Sequence, residues 1–119
     1  MKYIADFCNK YKMQDYEVGN GYLYFTIFNN KTHEIISFVY NDSGYTLGFG
    51  NVNFEYFQND REEDENLEDC MTEGNYIKSV DFNKIMLKLI EYLENWVSTD
   101  AKYQAMADDC KLILANNKE

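Results

Sequence analysis

Between residues 82 and 97, Phe82, Ile85, Met86, Leu89, Ile90, Leu93, Trp96 and Val97 recur at i, i+3, i+4, i+7, i+8, i+11, i+14 and i+15. A helix turning once every 3.6 residues gathers these positions into a single stripe, which must be buried. The spacing predicts a helix over 81–97, with Ser79 or Asp81 as its N-cap. "STD" at 98–100 breaks it and offers a second cap at Ser98 or Thr99. Tyr103, Met106, Ala107, Cys110, Ile113 and Leu114 then repeat the stripe to about residue 115. Near the start, Tyr3, Ile4, Phe7, Cys8 and Tyr11 mark one face of a shorter helix over 2–12. "QDYEVGNG" reads as the turn that ends it.

Helical stripes need something to cover, and the middle of the chain supplies it. "YLYFTIF" at 22–28 is aromatic and β-branched, with Leu23, Phe25 and Ile27 alternating with Tyr22, Tyr24, Thr26 and Phe28. It reads as a strand with both faces fairly apolar. "NNKT" is a hairpin-sized connection, and "HEIISFVY" at 33–40 is the second strand. "NDSG" is a strong turn. "YTLGFGNVNFEY" at 45–56 is the third strand, where Gly48 and Gly50 suggest a bulge or close approach by another element. A connection follows from about 57 to 78, a length uncommon inside compact domains unless functional or disordered. The expectation is therefore one α+β domain over 1–119: a three-stranded antiparallel sheet flanked by helices, in the order α-β-β-β-α-α.

Charge is distributed unevenly. Residues 55 to 73 hold nine carboxylates, Glu55, Asp60, Glu62, Glu63, Asp64, Glu65, Glu68, Asp69 and Glu73, against Arg61 alone, or −8. The whole chain carries −10, which leaves −2 for the other hundred residues. That asymmetry concerns partners rather than fold. It disfavours direct nucleic-acid binding and anionic membrane surfaces, both of which require clustered cations. No apolar run approaches the ~20 residues of a membrane helix. The N-terminal "MKYIADFCNKYK" lacks the apolar centre of a signal peptide, so a cytoplasmic location is expected, that of the host cell if the chain is phage-encoded. The three cysteines are far apart, which argues against a disulfide scaffold. Cys8 and Cys110 fall on the helical stripes and read as core residues. Cys70 sits among carboxylates that disfavour its thiolate.

Little in the sequence speaks for catalysis. The single histidine, His33, stands at a hairpin edge and reads as a surface residue. CxxC and HExxH spacings are absent, and "GFGN" at 48–51 lacks the lysine and following helix of a phosphate loop. No catalytic residue, metal ligand or cofactor is expected. The acids do allow one calcium reading. Glu62, Asp64, Asn66, Glu68 and Glu73 occupy positions 1, 3, 5, 7 and 12 of a twelve-residue window. Position 6, however, is Leu67, where the sharp turn of an EF-hand needs glycine.

The segment also interleaves Tyr56, Phe57 and Leu67 with its acids, and solubility alone does not need them. Tyrosine suits an interface, since it offers area at low entropic cost. Closely set carboxylates on a folded support can imitate a run of phosphates and steer a cationic cleft at long range. The expected partner is thus a basic protein, a nuclease or another nucleic-acid-binding effector. The expected contact residues are Glu55, Tyr56, Phe57, Asp60, Glu62, Glu63, Asp64, Glu65, Glu68, Asp69 and Glu73.

A small acidic chain ordered helix, three strands, two helices resembles anti-CRISPR proteins of phages and mobile elements. The matching features are the N-terminal helix followed by "QDYEVGNGYLYFTIFNN", the "NNKT" hairpin, and the carboxylates between the third strand and the later helices. The resemblance implies a non-enzymatic inhibitor that occupies the DNA-reading site of a CRISPR effector nuclease, with Asp60 to Asp69 as the phosphate mimic. An immunity protein that neutralises a basic toxin nuclease fits the same composition. A small calcium-binding regulatory module is the third reading.

Overall fold

The computed structural model describes residues 2–52 and 71–116. Its order is α1 (Lys2–Tyr11), β1 (Gln14–Gly19), β2 (Tyr22–Asn29), β3 (Glu34–Asn41), β4 (Gly44–Val52), β5 (Met71–Ser79), α2 (Phe82–Asn95) and α3 (Lys102–Asn116). The class is α+β, as expected, and the sheet is antiparallel, but it has five strands in the order β1-β2-β3-β4-β5. The expected count of three strands is thereby corrected in two places. Residues 14–19 form a strand in place of the expected turn. The third expected strand, 45–56, is present as far as Val52, and residues 53–56 lie outside the described residues. The connection expected from about 57 to 78 contains most of β5.

The physical reason is the same for both added strands. "QDYEVG" and "MTEGNYIKS" carry Asp, Glu, Gly, Asn and Lys, residues of low strand preference. Each is the outermost strand of the described sheet, and partner register rather than its own composition places it there. In β1 the pairing with β2 slips between Gln14 and Glu17, and Asp15 takes φ 53° at that irregularity.

Side chains sort by strand parity. Leu23, Phe25 and Ile27 of β2, Ile36 and Phe38 of β3 and Leu47 of β4 face the helices and join one core. Across from them lie Ile4, Phe7 and Cys8 of α1, the stripe Ile85, Met86, Leu89, Ile90 and Leu93 of α2, and Tyr103, Met106, Ala107, Cys110 and Ile113 of α3. The expected stripes are the buried ones. Removing each large side chain from water contributes about 1.5–3 kcal/mol. The opposite face is also partly buried, at Thr26, Ile35 and Ser37. Cys8 and Cys110 are free and buried, and burial pushes both thiols up to about 12, so they stay protonated near neutrality.

Helix ends follow local chemistry. Asp81 caps α2, accepting from the Asn83 and Lys84 amides at 3.0 and 3.4 Å, while Ser79 Oγ accepts from the Asp81 amide. For α3 the first-turn amide of Lys102 donates to Asp100 Oδ1 at 2.9 Å, so the capping acceptor is Asp100 rather than Ser98 or Thr99. Helix α1 stops in a Schellman pattern: Met13 N donates to Cys8 O and Lys12 N to Asn9 O, with Lys12 at φ 51°. Glycine usually fills that left-handed position, and lysine there costs about 1 kcal/mol.

The expected "NDSG" turn joins β3 to β4. Asn41 Oδ1 accepts from the Ser43 amide, and Gly44 takes φ +115°, where a Cβ would stand 2.9 Å from the Ser79 carbonyl. The expected close approach at Gly48 is the ring of Tyr76, its partner on β5.

A polar clasp joins the first and last helices. Asp109 Oδ2 accepts from Lys10 Nζ at 2.7 Å and from Tyr11 Oη at 2.6 Å. Burial alone would raise the Asp109 carboxyl, but these two hydrogen bonds and the Lys10 charge outweigh it and hold it below its ordinary value. A carboxyl held lower when folded stabilises fully above its unfolded value, and that contribution is lost as pH falls through the folded one. Asp109→Asn is therefore expected to melt lower than wild type near pH 7, with the gap closing as pH falls below the ordinary carboxylate range. Melting curves across that range check it. A gap that does not change with pH would remove the titration from the account.

Candidate functional site

The candidate contact residues lie mostly in one part of the chain. Glu55, Tyr56, Phe57, Asp60, Glu62, Glu63, Asp64, Glu65, Glu68 and Asp69 fall outside the described residues, as do Leu67 and Cys70. Glu73 falls in β5, in register with Asn51. The structure thus defines what the acidic segment springs from. Val52 and Met71 are partners on adjacent antiparallel strands, after a register shift between Asn51 and Val52. Eight of the nine acids therefore lie on a connection whose two ends are held side by side at one end of the sheet.

That end is stitched by a network centred on Asn29. The residue is 1% exposed, and its Oδ1 accepts from the Lys31 and Thr32 amides at 2.9 and 3.2 Å, shaping the β2–β3 turn. Its Nδ2 donates to Thr99 Oγ1 at 3.0 Å, which ties the turn to the α2–α3 connection. Lys31 Nζ adds a second tie, donating to the Thr99 carbonyl at 2.6 Å. Thr99 Oγ1 in turn donates to the Trp96 carbonyl at 2.7 Å, and Trp96 Nε1 donates to Glu34 Oε1 at 2.8 Å.

His33 completes the link. It sits at φ 61°; its amide donates to the Asn29 carbonyl and its carbonyl accepts from the Val52 amide, both at 2.8 Å. Its ring stacks on Phe28. The residue expected to be only a surface group instead fixes, through its backbone, the point where β4 gives way to the acidic segment. A left-handed histidine carries no sequence signature beyond its place after a short polar turn.

Asn29→Ala is expected to cost about 2–3 kcal/mol, because it orphans two turn amides and removes the donor that ties Thr99 Oγ1 to the turn. Urea unfolding measures this. A loss below about 1 kcal/mol would mean the network is slack.

The tyrosines divide. Tyr40, Tyr45 and Tyr92 pack half-buried against the core, and Tyr103 is buried within it. On the sheet face away from the helices, Tyr22 and Tyr76 are exposed. Tyr22 and Tyr24 both donate to Glu17, one to each carboxylate oxygen, at 2.9 Å. The hydrogen bond to Glu17 is the first cause holding the Tyr22 hydroxyl above its ordinary value. Val39, Thr46, Tyr76 and Lys78 line a shallow depression on this face.

Among the described residues no group of three His, Cys, Asp or Glu is placed to hold a metal ion, and no helix is long and apolar enough to cross a membrane. The calcium window, residues 62–73, lies almost wholly outside the described residues. The chain matches no protein-family model, no curated protein and no solved structure.

Proposed function

We propose that this chain is a binding protein, not an enzyme, that presents its acidic segment to a basic nucleic-acid-binding enzyme and blocks the surface that reads phosphates. A CRISPR effector nuclease is the leading partner class. The observation that carries the reading is the pairing of Val52 with Met71, which anchors a −7 stretch, residues 53–70, on a body of only −3. A concentrated charge on an anchored base gives a directional field, and a cationic cleft is its natural complement. The stitched end of the sheet supports this by supplying a fixed base for the acidic segment.

The experiment is a lysate pull-down read by mass spectrometry, followed by competition of the captured protein with its nucleic acid. The expected result is a basic nucleic-acid-processing enzyme, released from DNA or RNA by this chain. An enzyme that is captured while still holding its nucleic acid would indicate binding beside the active site, as an immunity protein can do. Capture of no basic protein would remove the reading.

A further inference from the structure

We propose that the cleft between the end of α1, strand β2 and the first turn of α3 is a binding site for a small organic anion, its apolar body on the cleft wall and its acidic group toward Lys12 and Lys102. It makes the opposite demand to the acidic segment, an anionic ligand in place of a cationic partner. Its volume is about 300 Å³, at the lower end of what small-molecule sites offer. Met13, Ile27, Tyr103 and Met106 supply apolar wall, and Asn30 a polar group.

Two observations point to an anion. First, among the described residues the charged ones lining the cleft are both lysines, in a chain of net charge −10. Among the described residues, the carboxylates next to its lining residues in the chain or bonded to them are each engaged. Asp109 accepts from Lys10 and Tyr11, Asp100 caps α3 through the Lys102 amide, and Asp15 accepts from Thr26 Oγ1 at 3.4 Å. Lys102 Nζ stands 5.2 Å from the centre of the Tyr103 ring, beside the apolar wall. Second, Lys12 occupies the left-handed position where glycine ends a helix with less strain. The helix stop uses only its backbone amide, so nothing in the stop itself requires a lysine side chain. Strain accepted at a cleft mouth is a pattern of functional sites.

The test uses the full chain, ¹⁵N-labelled and titrated with 4-phenylbutyrate, with uncharged 4-phenylbutanol as control. Saturable shifts are expected at the amides of Met13, Ile27, Asn30 and Tyr103, with the alcohol at least about tenfold weaker. Lys12→Gly and Lys102→Gln should each weaken the anion about fivefold. Lys12→Gly should also raise the melting temperature by a few degrees, so weaker binding cannot be put down to lost folding. Absence of shifts at these amides up to about 10 mM, equal binding of the alcohol, or unchanged binding by both variants would overturn the site.

Discussion

Replacing Trp96 with alanine is expected to lower the stability of this chain by about 3–5 kcal/mol. That approaches a third or more of what a domain of this size has in total. The indole is 2% exposed, and it joins three parts of the fold. Its ring centre lies 6.0 Å from that of Phe49 on β4 and 5.0 Å, edge-on, from that of Tyr103 on α3. Its Nε1 holds Glu34 on β3. Alanine would leave a cavity among aromatic rings and take the hydrogen-bond donor from a half-buried carboxylate, two separate costs. Trp96→Phe keeps most of the apolar area and loses the hydrogen bond, so about 1–2 kcal/mol is expected. Urea unfolding followed by far-ultraviolet circular dichroism measures both, which suits variants that lack the only tryptophan. A loss below about 1.5 kcal/mol for the alanine variant would show that the α2–α3 connection is held chiefly by the Asn29–Thr99 network.

Trp96 also shows why some of this fold is legible in the sequence and some is not. It lies near the end of a stripe of apolar residues at helical spacing, and that period is a direct consequence of one face meeting a core. The stripes of α1, α2 and α3 can be read for this reason. So can β2 and β3, whose residues are apolar and β-branched, and the "NDSG" turn, whose glycine takes a positive φ. Strands β1 and β5 are hard to read, because the few strand formers of "QDYEVG" and "MTEGNYIKS" are diluted by Asp, Glu, Gly, Asn and Lys. They are strands because β2 and β4 offer them a ladder. The one trace of β5 is Gly48, whose missing side chain makes room for Tyr76.

The polar stitching is illegible for another reason. Asn29 and Thr99 are 70 residues apart, and nothing local to either says that they meet. The cleft at Lys12 and Lys102 is assembled in the same way, from distant parts of the chain. The candidate contact residues are legible as charge alone. Composition states how much charge a segment carries, and only the Val52–Met71 pairing states where it is anchored.

Neutralising Glu62, Glu63, Asp64, Glu65, Glu68 and Asp69 to Gln or Asn is expected to slow association with the captured partner about ten- to hundredfold at low salt. The change takes the net charge from −10 to −4 and leaves the −3 body untouched. Long-range attraction acts on the encounter, so the loss should appear in the on-rate more than in the off-rate. Wild-type association should fall steeply as salt rises from about 50 to about 500 mM, because the Debye length shrinks from about 14 to about 4 Å, and the variant's dependence should be nearly flat. Its melting temperature should hold or rise, since removing crowded like charges relieves repulsion. Stopped-flow or surface-binding kinetics across salt concentrations separate these effects. Equal on-rates for the two proteins would place the interface elsewhere, with the exposed Tyr22 and Tyr76 face as the next surface to alter, and would reduce the acidic segment to a solvating one.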